Sequence, residues 1–187
     1  WVVEFYNRLT WLRREWLREI SSRDALTGLL NKREFNRELA RLYRLAARER
    51  RPLTIAMLDV DHFKAYNDNY GHQSGDRCLV KIAEIIRARS RRGGDLAGRV
   101  GGEEFAIVWY GNDRVTVNLM LEQLLRRVRE LAIPHEHTGT ARKWITLSAG
   151  ARWLIPDSNS NPDAAIHEAD MLLYESKQAG RDCFRLD

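Results

Sequence analysis

The sequence predicts an α/β (α+β) domain, with a central mixed or largely antiparallel sheet flanked by helices and one long helix in front of it. Three observations predict this. Residues 53–58 form a short, continuous apolar run after Pro52, too brief for a helix and suited to a buried strand. Residues 96–100 and 106–109 are apolar runs split by Gly101-Gly102-Glu103-Glu104, which reads as a β-hairpin with the glycines at its tip. Segments of helical period alternate with these strands, so helices cover the sheet faces, and the hairpin makes the sheet mixed rather than purely parallel.

In chain order, the first twenty residues carry Val2, Phe5, Leu9, Leu12 and Trp16 at spacings of three and four. This is a seam of two and a half heptads, which Ile20 continues irregularly because Glu19 takes the next slot. A packed core helix and a dimerising coiled coil both fit. The arginines on the opposite faces and the break at Ser21-Ser22 favour a coiled coil that joins two chains. A turn-rich stretch, residues 24–31, leads to a helix over 32–50, with Asn31 as its cap, Glu34 completing the capping pattern, and Phe35, Leu39, Leu42 and Ala46 on its apolar face. After the strand at 53–59, helices are expected over 62–69 and 75–90, the hairpin over 96–110, and a long helix over 113–132. A strand at 144–151, a loop at 156–162, a helix at 163–179 ended by Gly180, and a short last strand at Phe184 complete the chain.

The 187 residues suffice for one domain with a generous core. A 44% hydrophobic and 30% charged composition excludes a disordered chain, and no apolar run approaches the roughly 20 residues of a membrane span. The net charge of +5 suits an anionic ligand, although Arg37, Arg41, Arg44 and Arg48 are explained equally well as a solvated helix face. Cys78 and Cys183 have neither disulfide-framework nor zinc-ligand spacing, so a reducing cytoplasm is the expected compartment. The chain opens on Trp1 and not on Met, which points to a piece of a longer protein whose sensory or membrane region lies upstream.

Carboxylates at a strand end, Asp59-Val60-Asp61, and at a hairpin tip, Glu103-Glu104, can converge. Mg²⁺ takes oxygen ligands and commonly bridges one or two carboxylates to substrate phosphates, so the pair reads as a Mg²⁺-nucleotide site, with Mn²⁺ as the alternative ion. Either glutamate alone would pass for a solvated acid beside a turn.

Five groups of residues, in order over 24–185, resemble the GGDEF family of diguanylate cyclases. They are residues 24–31; Asp59-Val60-Asp61-His62-Phe63-Lys64 with Asn67-Asp68; Gly71-His72 with Gly75-Asp76; residues 101–105; and Ala169-Asp170 through Tyr174, Lys177, Gly180 and Arg181. The resemblance implies a palm-like sheet, and condensation of two GTP into cyclic di-GMP with release of two pyrophosphates across a homodimer of half-sites. It divides the chain into a connector, residues 1–22, and a catalytic domain, residues 23–187.

In such a reaction a ribose 3′-hydroxyl attacks an α-phosphate, and two-metal sites stabilise the attacking and leaving oxygens. Asp59 and Glu103 are the expected side-chain ligands, and the resemblance adds the Val60 carbonyl and two ions per half-site. Glu104 is a further candidate ligand; adjacent strand residues point to opposite faces, so unless the hairpin tip is irregular the two glutamates do not both face one ion, and Glu103 is chosen as the ligand and as the group expected to take or relay the hydroxyl proton. Gly102 lets the backbone approach a nucleotide, or simply makes a turn. Lys64, near a helix start, reads equally as a triphosphate ligand or as an exposed surface lysine, and the resemblance implies phosphate binding and neutralisation of transition-state charge; the ring of Phe63 is a core anchor, with its backbone near the phosphates. Asn67 and Asp76 offer what guanine presents, an amide and a carboxylate for N1–H and N2–H₂; both would also serve as helix caps. By resemblance His72 lies in the nucleotide pocket and Lys177 and Arg181 reach the β- and γ-phosphates. Asp61 and Asp68 are expected to be structural, and Asp182 stands where the family often has Asn.

Arg92-Gly93-Gly94-Asp95 fits the RxxD product-inhibition pattern of the family, with Arg91 as a possible helper, although RRGGD also reads as a flexible turn. A non-catalytic receptor for cyclic di-GMP or GTP, and a different palm-type nucleotidyl cyclase, are the competing readings; no nucleic-acid partner is expected.

Overall fold

The computed structural model describes residues 22–90, 92–136, 138, 143–157 and 160–187, together with Glu4 and Arg8. The coiled-coil seam expected over the first twenty residues, and Arg91, lie outside the described residues.

Six strands form one sheet in the order β1-β3-β4-β2-β5-β6. They are β1 (Leu30–Asn31), β2 (Leu53–Val60), β3 (Leu96–Arg99), β4 (Glu104–Tyr110), β5 (Leu147–Leu154) and β6 (Phe184–Leu186). The four central strands pair antiparallel and the two short edge strands pair parallel, so the expected mixed, largely antiparallel sheet is observed. Strand β2 lies at the centre with all eight residues buried, because helices cover both faces and every alternate side chain finds a core.

Among the described residues five helices supply that cover: α1 (Lys32–Glu49), α2 (Phe63–Tyr70), α3 (His72–Ala88), α4 (Arg114–Glu130) and α5 (Pro162–Gln178). On one face Ala56, Leu58 and Val60 pack with Phe105, Ile107 and Trp109 against α2, α3 and α4. On the other, Ile55 and Met57 pack with Ala106 and Val108 against Phe35 and Leu39 of α1 and Ala165, Ala169 and Leu173 of α5. Removing a fully buried leucine here, such as Leu58, costs about 2–5 kcal/mol.

Local chemistry sets the helix ends. Asn31 caps α1 by accepting from the Glu34 N–H at 3.0 Å, as its sequence predicts. Asp113 and Asn161 cap α4 and α5 in the same way. Helix α3 begins at His72, earlier than the expected 75, because Gly71 takes a positive φ of 81° and its carbonyl accepts from Ser74 and Gly75. Strand β5 starts three residues later than expected: Trp144 forms an isolated bridge with Pro134 and the regular ladder opens at Leu147. Helix α5 lies hard on β5. A Cβ on Gly150 would sit 2.0 Å from the backbone nitrogen of Leu173, and the Ser176 hydroxyl donates to the Ala149 carbonyl at 2.7 Å.

Candidate functional site

The site gathers where β2 ends. Asp59 is 8% exposed on the α1/α5 face, in ladder register with Glu104 on one side and Ser148 on the other. The tight seat of α5 brings the Lys177 ammonium to 2.8 Å from Asp59 Oδ2. Burial pushes the Asp59 carboxyl above its ordinary value; the Lys177 hydrogen bond and charge oppose this, and Glu103 and Asp61 add to the rise.

Glu103 therefore lies close to Asp59, but not through strand alternation. By register the residue on Asp59's face is Glu104. Residues 101–103 form a bend outside the strand, and the Val60 N–H donates to the Glu103 carbonyl at 3.3 Å, which draws the tip onto the end of β2. Glu104 instead lines a cleft of about 310 Å³ with Lys32, His167 and Asp170. Burial, reinforced by the Glu104 charge, raises the Asp170 carboxyl. Gly101 leaves room for this Glu104 side chain: a Cβ there would lie 2.1 Å from Oε2. A Cβ on Gly102 would meet no protein atom within 4 Å, so its face is open.

The tip is anchored from behind. Arg99 Nε and Nη2 donate to the Gly102 carbonyl at 2.9 and 2.7 Å, and Nη1 reaches the Asp24 carboxylate at 3.2 and 3.3 Å. Burial alone would raise Asp24, but the Thr27 hydroxyl and N–H and the Arg99 guanidinium more than offset it and hold the carboxyl below its ordinary value.

Below Asp59, Asp61 is 2% exposed and accepts from Thr146 Oγ1 at 2.7 Å, Ser148 Oγ at 2.6 Å and the Asp182 N–H at 3.1 Å. Asp182 also receives Arg129 Nε at 2.6 Å. The structural role expected of Asp61 is thus filled by three donors, which a buried carboxylate requires. Arg181 follows α5 in a left-handed conformation, φ 61°. Burial and the Arg181 charge hold the His62 imidazole below its ordinary pKa.

On the other side, Phe63 is buried at the start of α2 with Lys64 exposed beside it, next to N–H groups that a helix start leaves without intrahelical partners. Asn67, one turn on, is partly buried, and its Oδ1 is buried with no hydrogen-bond partner among the described residues. Gly75 makes room for it: a Cβ there would lie 1.9 Å from that oxygen. His72 and Asp76 are exposed on the first turns of α3. Because α3 starts at His72, Asp76 sits inside the helix and the capping role considered for it does not apply.

Arg92 and Asp95 stand at the opposite end of β3 from the tip, with the whole four-residue strand between them and Gly101. Asp95 accepts the Arg92 N–H at 3.2 Å and the Tyr110 N–H at 3.4 Å, and Arg92 Nη1 donates to Asn112 Oδ1 at 3.0 Å.

Sequence reasoning missed Arg99, Arg129, Thr146, Ser148 and His135. His135 is fully buried, with Nε2 3.1 Å from the His62 carbonyl and its ring edge-on to Tyr66. Only the Thr146/Ser148 alternation left a signal in the sequence.

Residues 21–183 match the family model described as "Diguanylate cyclase, GGDEF domain". The probable diguanylate cyclase DgcT of Escherichia coli strain K12 is 33% identical over 166 residues, which is 88% of this chain and 35% of the relative. The diguanylate cyclase VdcA of Vibrio cholerae is 35% identical over 159 residues, 85% of this chain and 45% of the relative. The chain thus spans less than half the length of these relatives. The coiled coil and GGDEF domain of DgcB from Caulobacter crescentus, solved in complex with c-di-GMP, superposes with a TM-score of 0.86 at 29% identity, covering 100% of this chain and 97% of that one.

Proposed function

The chain belongs to the GGDEF diguanylate cyclase family, and from that membership and the site we propose that it condenses two GTP into cyclic di-GMP and two pyrophosphates, one GTP on each domain of a homodimer. The observation that carries the proposal is the Val60 N–H bond that draws the Glu103 backbone onto the end of β2, at the residue after Asp59, with Lys177 held against Asp59.

GGDEF diguanylate cyclases are metal-dependent. The residues here fit a hard divalent ion: two carboxylates, one of them buried and raised, with an ammonium as the cation nearest to it. No group of three or more His, Cys, Asp or Glu among the described residues would hold a metal unaided, which suits Mg²⁺ or Mn²⁺ completing its shell with phosphate and water. Asp59, the Val60 carbonyl and Glu103 would hold the ions, two per half-site, and Glu104 is a lesser candidate because it lines a cleft with Lys32, His167 and Asp170 that Asp59 does not line. When bound, they neutralise charge on the attacked phosphate and the leaving pyrophosphate.

The protein's own groups do the rest. Lys64 and the start of α2 bind phosphate oxygens beside the backbone of Phe63. Lys177 and Arg181 take the β- and γ-phosphates, and Lys177 exchanges its Asp59 contact for them as the nucleotide arrives. Asn67, His72 and Asp76 line the base; the unpaired Asn67 oxygen accepts from guanine, and Asp76 accepts from N1–H and N2–H₂, which adenine lacks. Glu103 takes or relays the proton of the attacking hydroxyl, and the open face of Gly102 admits the ribose.

Arg92 and Asp95 form the proposed product-inhibition site. At the far end of β3 they do not touch Glu103, so a bound cyclic di-GMP acts by holding the domains apart rather than by blocking the nucleotide. Residues 1–22 would pair the chains, with residues 23–187 as the catalytic domain. No helix among the described residues is long and apolar enough to cross a membrane.

Incubation of the chain with Mg²⁺ and either GTP or ATP, followed by chromatographic identification of products, tests the proposal. Cyclic di-GMP from GTP and nothing cyclic from ATP is expected. Binding of cyclic di-GMP without any turnover would favour the receptor reading, and a product from ATP would favour another cyclase.

A further inference from the structure

Two consecutive residues other than glycine, Arg181 (φ 61°) and Asp182 (φ 50°), occupy the left-handed region directly after α5. L side chains adopt it at a cost, so a pair of them persists only where surrounding bonds hold it. The bonds here come from three elements. The Arg181 N–H donates to the Ser176 carbonyl at 3.2 Å, which is the last turn of α5. The Asp182 N–H donates to Asp61 Oδ2 at 3.1 Å, just past the end of β2. Arg129, near the end of α4, donates from Nε to Asp182 Oδ1 at 2.6 Å and from Nη2 to the Asp182 carbonyl at 3.0 Å.

We propose that Asp61 and Arg129 are positioning residues for triphosphate binding: together they fix the left-handed turn at Arg181 and Asp182 and so aim the Arg181 guanidinium at the phosphate side of the site. The inference rests on the phosphate role proposed above for Arg181. Asp61 is itself immobilised. Both its oxygens accept buried hydroxyl donors, from Thr146 and Ser148, and its N–H donates to the Thr146 carbonyl at 3.0 Å. It follows Asp59 by two residues, so the same strand end that carries the carboxylate pair also holds the cationic turn. Arg129 matches Asp182 in charge and in reach: its fork spans side chain and carbonyl of one residue, and an Asn at 182 would keep the hydrogen bond but lose the ion pair. The Asp182 N–H bond to Asp61 holds this turn, and Arg181 with it, beside the end of β2.

The test is a double-mutant cycle of Arg129→Gln with Arg181→Ala, read as affinity for a non-reactive GTP analogue and for GMP, with Mg²⁺ present in all arms. Arg129 is 40% exposed at its side chain, so this variant tolerates the change better than the buried Asp61. Arg129→Gln is expected to weaken the triphosphate analogue about five-fold, to leave GMP unchanged, and to have no further effect once Arg181 is alanine. Asp61→Asn should give the same pattern wherever its thermal midpoint shows it folded. Equal losses for both nucleotides, no loss for either, or the same loss in the Arg181→Ala background would overturn the proposal. Should Arg181→Ala alone bind the analogue as tightly as the parent, the phosphate role of Arg181 fails first, and that outcome is told apart by this single arm.

Discussion

The two sides of the site are built differently. On the side assigned to phosphates, Asp59, Asp61 and Lys177 are already bonded to one another or to the sheet, and α5 is seated on Gly150 with no space to shift. On the side assigned to guanine, His72 and Asp76 are exposed and Asn67 keeps a buried oxygen without a partner. The charged end, where misplacement by an ångström is costly to in-line chemistry, is fixed by the fold. The base end is left for the ligand to complete, and an unpaired acceptor there makes selection strong, because a wrong base leaves it unsatisfied.

The sharpest way to break this contrast is to lift α5. Gly150→Ala forces a Cβ into the backbone of Leu173 and Ala169, so stability should fall by about 1–3 kcal/mol or more, measured by urea unfolding. Product formation should fall with it, since Lys177 and Arg181 move away from Asp59. Unchanged stability would show that α5 is free to slide, and the rigid side would lose its meaning.

Gly75→Ala probes the open side. Its Cβ displaces Asn67, so affinity for a GTP analogue should drop about ten-fold, roughly one hydrogen bond to the base. Gly75 lies within α3, where alanine gains about 1 kcal/mol of helix propensity, and this offsets the tight contact with Phe63. Binding should therefore suffer while the unfolding midpoint stays near the parent's. Equal affinity in the variant would remove Asn67 from the base pocket.

A smaller effect concerns the anchor behind the hairpin. Asp24 has its carboxyl lowered in the folded state, so its contribution to stability is present above the unfolded value, near 3.8, and is lost as pH falls through the folded value. The stability gap between the parent and Asp24→Asn, followed by urea unfolding, should be constant around neutrality and close below about pH 4. A gap that widens on acidification would reverse the sign assigned to this group.

Much of the fold was legible in the sequence because it depends on local pattern. The apolar run of β2, the Asn31 cap and the glycines between β3 and β4 each declare an element within a few residues. The edge strand β1, two residues long, had no periodicity to read, and the start of β5 was misjudged because Trp144 and Ile145 extend the apolar run but pair with Pro134 and Ile133 instead. At the site, residues at strand ends and hairpin tips could be named from the sequence. Their partners could not. Arg129 meets Asp182 across 53 positions, and Arg99 meets Asp24 across 75, so only the folded chain brings them together. Strand alternation said only that Glu103 and Glu104 cannot both face one ion unless the hairpin tip is irregular, and the tip is irregular: a bend over residues 101–103 carries Glu103 to the end of β2.

The central claim is that Asp59 and Glu103 form the reactive end of the half-site, and the most direct measurement is cyclic di-GMP formation by Glu103→Gln, with binding of a GTP analogue measured on the same preparation. Glutamine keeps the size and removes the charge. Product formation should fall by about a thousand-fold or more, while the analogue remains bound through Lys64, Asn67 and Asp76. Cyclic di-GMP made at the parental rate by this variant would contradict the account.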